Sequence, residues 1–171
     1  SDFKPWYSPK NTFYYLNDTL NFIRFFEAEI YSIIDDNIKI KYKIDFSGNN
    51  LPHEFTKDDK IFDDQSKNYS YLFRYFLESN DHIYFDYLKK GKLFFSLMDK
   101  SSLTIKTIKN SSNYLSVFLF QPVYVYEDYF VAVSEPSLIL DGKARNDIED
   151  VNLKEISDTI EFTDNPVLIF Y

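Results

Sequence analysis

The sequence has 171 residues, no cysteine, a formal net charge of -8 at pH 7 and many aromatic residues, with 18 Phe and 15 Tyr. A chain of this length fits one domain of about 100 to 200 residues and can bury a core that needs neither disulfide nor metal. The composition excludes disulfide bonds, thiol catalysis and cysteine-bound zinc, and three glycines disfavour a glycine-rich phosphate-binding loop.

The sequence also allows predictions about the cellular location of the protein and about the extent of the natural chain. It contains neither a signal peptide nor an apolar run of the ~18 residues that a membrane-spanning helix needs. Together with the lack of cysteine, this predicts a cytoplasmic protein. The chain starts at Ser1 and ends in the apolar run "PVLIFY". We therefore expect residues 1–171 to be a single globular domain of a longer, bacterial protein.

The first distinctive segment is an aromatic pair between prolines. Trp6 lies between Pro5 and Pro9, next to Tyr7, which predicts an extended and rigid segment. Such a segment either packs against its own domain or provides an aromatic anchor for a partner.

Apolar residues then recur at steps of three and four up to an acidic stop. This spacing predicts an amphipathic helix of about six turns, ended by Asp35 and Asp36. The positions that define it are Phe13, Leu16, Leu20, Ile23, Phe26 or Glu27, Ile30 and Ile34.

A strict alternation follows and predicts a half-buried strand. Its buried side is expected to carry Ile38, Ile40, Tyr42, Ile44 and Phe46. The opposite side carries Lys39, Lys41 and Lys43, spaced about 6.5 to 7 Å apart like backbone phosphates. Because the protein is acidic, a solvated face is the better interpretation and nucleic-acid binding the alternative.

The second half of the chain predicts helices first and strands later. Leu72, Phe73, Phe76 and Leu77 fit a second helix, and residues 81–98 fit either a short helix ended at Gly91, which we favour, or a hairpin. Beyond residue 100, short apolar runs, "SLIL" among them, predict antiparallel strands, with a weak helix between Asn146 and Thr159. The predicted fold class is α+β, with a long N-terminal amphipathic helix and one or two further helices packed on a mostly antiparallel sheet.

One triplet suggests metal chemistry. Asp141-Gly142-Lys143 resembles the acid–x–lysine triplet of PD-(D/E)xK nucleases. That resemblance implies Mg²⁺ held by Asp128 and Asp141, with Lys143 orienting the attacking water. Since Asp-Gly also favours tight turns, a turn is the preferred interpretation.

Other candidate sites are weaker. His53 precedes a cluster of acidic residues whose spacing fits neither a zinc helix nor a calcium loop. Three tyrosines, Tyr124, Tyr126 and Tyr129, could stack on sugars together with Trp6 and Tyr7, although core packing accounts for most aromatic residues. The sequence therefore predicts neither a metal nor a cofactor.

The leading functional hypothesis is a non-catalytic interaction or regulatory domain of an intracellular protein. Its expected partners are another protein or neighbouring domains of the same chain, with nucleic acid disfavoured and no membrane. The candidate binding residues are Trp6, Tyr7, Lys39, Lys41 and Lys43. The alternative is a Mg²⁺-dependent nuclease-like module of a defence or DNA-metabolism system, with Asp128, Asp141 and Lys143 at its centre.

Overall fold

The computed structural model describes residues 13–24, 26–109, 121–148 and 150–170. The chain divides into two compact units, residues 1–109 and 110–171. Trp6 and Tyr7 lie outside the described residues, so their predicted binding role stays a prediction.

The first unit begins with a four-stranded antiparallel sheet, sheet A, whose strands follow the order of the chain. Its strands are β1 (Phe13–Leu16), β2 (Thr19–Ile23), β3 (Glu29–Ile34) and β4 (Asn37–Lys43). Hairpin turns at Asn17-Asp18 and Asp35-Asp36 have positive φ at both residues. This is the backbone of a two-residue turn whose twist matches the flanking strands, and Asn and Asp tolerate it well.

The long N-terminal helix predicted over residues 13–34 is therefore wrong. The apolar residues of sheet A occupy both of its faces, so the strands lack a clean alternation. Their spacing of three and four arises because each hairpin turn restarts the pattern. The turn at Asn17-Asp18, with φ values of 48° and 59°, interrupts what would have been the helix.

A short helical segment leads to a second four-stranded antiparallel sheet, sheet B. The segment comprises 3₁₀ turns at His53–Lys57 and Ser66–Asn68 around α1 (Asp59–Gln65), and sheet B comprises β5 (Ser70–Glu78), β6 (His82–Lys89), β7 (Lys92–Asp99) and β8 (Ile105–Lys109). The second predicted helix is thus β5. Residues 81–98 form the hairpin rather than the favoured helix, turning at Lys90 and Gly91 with φ of 52° and 68°.

Sheets A and B share one hydrophobic core. Ile23 and Ile30 of sheet A pack with four buried residues of sheet B: Leu72, Phe76, Ile83 and Phe85. Burying side chains of this size stabilises the fold by about 1.5 to 3 kcal/mol each. The two sheets therefore depend on each other for burial of their facing sides.

Strand β4 is the strand predicted from the alternating lysines, but its burial differs from the prediction. Ile38 is 56% exposed and Ile40 is 61% exposed. A bulge lies between them and Tyr42, because Ile30 pairs with Tyr42 while the next residue, Tyr31, pairs with Ile40. The extra residue, Lys41, disrupts the alternation, and the expected burial of Ile38 and Ile40 is wrong.

The second unit contains a three-stranded antiparallel sheet, sheet C, of order β11-β10-β9. Its elements are β9 (Pro122–Tyr126), β10 (Tyr129–Ser134), α2 (Pro136–Ala144), α3 (Val151–Thr159) and β11 (Val167–Phe170). Ala132 and Ile169 of the sheet pack with Ile139 of α2 and Leu153 of α3. The weak helix predicted before Thr159 is confirmed as α3, whereas "SLIL" lies in α2 rather than in a strand.

The predicted fold class is contradicted by this arrangement. The described residues form three antiparallel sheets with short helices, a β-rich fold rather than an α+β one. The expectation that residues 1–171 form one domain stays a prediction.

Candidate functional site

One of the buried charged residues of the first unit is Glu78, at the end of β5. Its side chain is fully buried between the two sheets of the first unit. Oε2 accepts hydrogen bonds from Tyr14 Oη at 2.9 Å and Lys41 Nζ at 2.8 Å. Oε1 accepts from Tyr42 Oη at 2.6 Å and Lys100 Nζ at 2.8 Å. Both carboxylate oxygens therefore have two donors each.

The electrostatics of this Glu78 cluster favour an ionised carboxylate and neutral phenols. Burial alone would raise the pKa of Glu78, but the hydrogen bonds from Lys100, Lys41 and Tyr42 outweigh it and hold that pKa below its usual value. Burial, together with the neighbouring Glu78 carboxylate, raises the pKa of Tyr14 and of Tyr42. The cluster links sheets A and B. Because each carboxylate oxygen of Glu78 already accepts two hydrogen bonds, it leaves no lone pair for a substrate.

The three lysines of β4 lie in three different environments. Lys41 reaches inward to Glu78, since it is the extra residue of the bulge and a bulge re-aims a side chain. Lys43 pairs with Glu29 at 3.3 Å, on the cleft described next, and Lys39 is exposed. Two of the three therefore already have an acidic partner. Their role in binding remains a prediction.

A cleft of about 840 Å³ lies in the first unit. We call it the Glu27 cleft. Charged groups of both signs lie beside apolar side chains in its lining, which includes Arg24, Glu27, Glu29, Tyr31, Lys43, Asp45 and His53 together with Phe26, Ala28, Ile40 and Leu51. Its volume lies within the range of small-molecule sites.

Glu27 is the centre of the polar groups in this cleft. Tyr31 Oη donates to Glu27 Oε2 at 2.7 Å. Glu27 Oε1 lies 3.6 Å from His53 Nδ1 and 3.9 Å from the Arg24 guanidinium. The same guanidinium stacks over the Tyr31 ring, 4.8 Å from its centroid. Together these contacts hold the four side chains in a fixed arrangement.

Tyr31 is a hydrogen-bond donor throughout the physiological pH range. Desolvation by burial and its bond to Glu27 raise the pKa of Tyr31 to about 12. The phenol therefore stays protonated and keeps Glu27 oriented.

A turn and an ion pair also line the cleft. Asp45 Oδ1 accepts from the Gly48 amide at 2.8 Å, which stabilises a turn where Ser47 and Gly48 have φ of 60° and 73°. Next to it, Lys43 pairs with Glu29. Across the cleft, charges of opposite sign are thus matched in neighbouring pairs.

Sheet C provides a second notable surface, on the face away from its helices. This face, the tyrosine face, consists of Tyr124, Tyr126, Tyr129, Leu168 and Phe170, each more than half exposed. Tyr126 and Tyr129 are paired across the strands, and the ring of Tyr129 lies edge-on to Phe170 at 6.4 Å. The three tyrosines predicted as stacking residues are therefore close together on one open surface.

The nuclease-like triplet does not have the geometry that its interpretation needs. Asp141 and Lys143 lie on helix α2, neither on a strand nor in the expected turn. Lys143 Nζ is bonded to Asp158 at 2.8 Å and to the Ser157 carbonyl at 2.9 Å. This ties the lysine to α3 and lowers the pKa of Asp158. Asp128 lies in the turn between β9 and β10.

Neither a metal-binding cluster nor a membrane-spanning helix occurs within the described ranges. No group of three His, Asp or Glu side chains there could hold a metal ion. No helix there is long and apolar enough to cross a bilayer.

A family model described as "Domain of unknown function (DUF4934)" matches residues 4–171. The crystal structure of a "putative exported protein" from Bacteroides fragilis is similar, with a TM-score of 0.75 and 20% sequence identity. The match covers 96% of this chain but 49% of that one, so the chain spans about half the length of its structural neighbour. No curated protein matches the sequence.

The neighbour also corrects one expectation. The predicted cytoplasmic location, and with it the intracellular setting of the functional hypothesis, is contradicted because the neighbour is described as exported. The lack of cysteine does not indicate the compartment, since a domain of this size folds without disulfides both in the cytoplasm and after export.

Sequence reasoning missed the Glu27 cleft, apart from Lys43 and His53. Arg24, Glu27 and Tyr31 fell inside the predicted helix, where spacings of three and four also place them on one face. The available signal was the polar pair Arg24 and Glu27 within an otherwise apolar run.

Proposed function

We propose that this chain, which belongs to the family described as a domain of unknown function (DUF4934), is a non-catalytic binding domain of an exported protein. The observation that carries the proposal is the Glu27 cleft, in which acids and bases are held in matched pairs beside an apolar wall. The exported location is supported by the description of the structural neighbour. Cell fractionation that finds the natural protein only in the cytosol would exclude it.

The ligand class that fits this cleft is an uncharged polyhydroxyl compound, that is, a sugar chain. Each sugar hydroxyl both donates and accepts, so neighbouring carboxylates and cations bind it with charge-assisted hydrogen bonds. Because Arg24 is matched by Glu27 and Lys43 by Glu29, the cleft has little net attraction for a charged ligand. The apolar side of a sugar ring can pack on Phe26 and Leu51, which line the same cleft.

Binding rather than turnover is favoured by how Glu27 is held. Three side chains contact its carboxylate, and Tyr31 remains its donor at all physiological pH values. A carboxylate held by three side chains is an oriented acceptor for ligand hydroxyls.

Titration calorimetry with soluble neutral polysaccharides (xylan, mixed-linkage β-glucan and α-mannan) tests the proposal. Glu27→Gln and Tyr31→Phe should each weaken binding of the polysaccharide that binds about tenfold or more, because each removes a group of the fixed arrangement. The matched control is Glu155→Gln, an exposed acid on α3 in the other unit. Failure of all three polysaccharides to bind, or equal binding by all variants, would contradict the sugar assignment.

The tyrosine face supports the second candidate, a protein partner. Tyrosine and phenylalanine are enriched in the centres of protein interfaces, and this face combines them with an exposed leucine. The test is chemical cross-linking in the native host with Tyr126→Ser and Tyr129→Ser. A partner bound through this face is lost in both variants but kept in Glu155→Gln, whereas a cross-link kept in all three would exclude the face.

A further inference from the structure

The outer face of sheet A, on the side away from sheet B, is apolar across all four strands. The cross-strand register places its residues in two rows of four: Phe13, Phe22, Tyr31 and Ile40, and then Tyr15, Leu20, Ile33 and Ile38. We call these eight residues the apolar rows. Neither row contains a charged residue.

Much of this face is uncovered. Tyr15 is 72% exposed and Phe13 is 61% exposed, both on β1, and Ile38 and Ile40 on β4 are also more than half exposed. A contiguous apolar surface of this kind is unusual on a soluble protein and marks a packing surface. The charged residues begin only in the next row, where Glu29 pairs with Lys43 beside the Glu27 cleft.

Sheet B differs from sheet A, because β5 and β6 carry buried residues on both faces. Along β6, Ile83 and Phe85 face the shared core, while the alternate residue Tyr84 points to the other face and is fully buried. On β5, Phe76 belongs to the core, and its neighbour Leu77, on the opposite face, is buried as well. The first two strands of sheet B are thus buried on both faces, whereas β1 is buried on one.

We propose that the apolar rows are the packing surface for a further four-stranded antiparallel sheet, supplied by the polypeptide to which these 171 residues belong. Sheet A would then be an interior layer between sheet B and this further sheet. Radial repetition of four-stranded sheets, as in β-propellers, covers successive faces in this way. Tyr31 and Ile40 also line the Glu27 cleft, so the further sheet would lie against that edge of the cleft; the proposal rests on the apolar rows and not on the ligand of the cleft.

Two observations select this occupant. Sheet A already uses its opposite face to pack on a four-stranded sheet, so a second sheet repeats an interface that the fold contains. In addition, the structural neighbour continues for about as many residues again, since the match covers 49% of its chain. A chain of that length can supply further sheets.

Single cysteines provide a clean test because the chain has none. Ile38→Cys and Ile40→Cys are introduced into the natural polypeptide and into the 171-residue chain, with any cysteine elsewhere in the natural polypeptide replaced. The rate of reaction with a thiol reagent is measured in both. Val151→Cys, on α3 and 70% exposed before substitution, is the control.

The expected result is that cysteines at 38 and 40 react at least tenfold more slowly in the natural polypeptide than in the 171-residue chain, while the control reacts equally in both. Equal rates at 38 and 40 in the two proteins would overturn the proposal. Protection already present in the 171-residue chain and lost on dilution, with a dimer seen by analytical ultracentrifugation, would also overturn it, because a second copy would then cover the rows.

Discussion

At the scale of single residues, the Glu78 cluster is the strongest constraint in the first unit. Tyr14 and Tyr42 come from sheet A, whereas Glu78 comes from β5 of sheet B and Lys100 from the turn between β7 and β8 of the same sheet. A buried carboxylate is costly unless its oxygens are all engaged, and here they are. The cluster therefore favours one relative position of the two sheets. Its hydrogen bonds are directional, whereas apolar contacts would allow the sheets to shift.

Glu78→Gln should destabilise the protein by about 3 kcal/mol, because removing one member of a buried ionic cluster leaves its partners unpaired. The lysines keep about a quarter of their surface exposed, so water recovers part of the loss. Urea denaturation followed by circular dichroism measures the change. Glu155→Gln is the exposed control, expected within about 0.5 kcal/mol of wild type; a similarly small effect for Glu78→Gln would contradict the assignment.

The same cluster makes stability depend on pH in the acid range. Because the pKa of Glu78 is lowered in the folded protein, its contribution is fully present above its ordinary unfolded value of about 4.5 and is lost as pH falls through the folded pKa. The stability difference between wild type and Glu78→Gln should therefore shrink as the pH falls below about 4.5, as measured by urea midpoints. A difference that is constant over this range would show that Glu78 is not ionised in the fold.

At the scale of elements, the hairpin turns decide the fold of the first unit. Asn17-Asp18, Asp35-Asp36 and Lys90-Gly91 all have two successive residues of positive φ. Each turn lets an antiparallel strand follow at once with the correct twist. Gly91 meets no atom within 4 Å of an added Cβ, so its conformation rather than its space matters.

Two turn substitutions should have opposite effects. Gly91→Ala should destabilise by about 1 kcal/mol, because alanine resists positive φ, whereas Asp36→Gly should be neutral or stabilise by up to about 1 kcal/mol at a φ of 59°. Thermal unfolding compares both with wild type. Equal destabilisation by the two substitutions would show that side-chain contacts, not backbone conformation, control these turns.

At the scale of the whole molecule, the first unit depends on a core that neither sheet forms alone. Ile30, on β3, is fully buried among residues of sheet B. Ile30→Ala should cost about 2 to 5 kcal/mol and shift the unfolding of both sheets together. Hydrogen exchange of amides in β3 and β6 measures this; faster exchange confined to sheet A would contradict a shared core.

Part of this organisation was predictable from local chemistry. The β4 strand, α3 and most strands beyond residue 120 follow from alternation, capping and turn residues, which act over a few positions. The first three strands and β5 could not be predicted. In an aromatic-rich run, apolar residues spaced by three and four fit one helix as well as they fit strands that carry apolar residues on both faces. The deciding signal, two successive residues able to adopt positive φ, was present at Asn17-Asp18 but is weaker than Asn-Gly.

The candidate site divides in the same way. Lys43, His53 and the tyrosines of β9 could be selected from the sequence as polar or aromatic residues. Their neighbours in the fold could not, because Glu27 and His53 are far apart in the sequence and meet only in the folded protein. Lys41 illustrates the limit most clearly, because a one-residue bulge turns it from the solvent face to Glu78.

The acidic, cysteine-free composition, the chemistry of the turns and the position of several strands can be read from the amino-acid sequence, since they depend on residues within a few positions of one another. Which faces are buried, which acids and bases meet, and the exposure of Ile38 and Ile40 follow from the folded structure. Burial and ion pairing depend on residues far apart in the chain, such as Tyr14 and Glu78, and local pattern carries no information about such meetings.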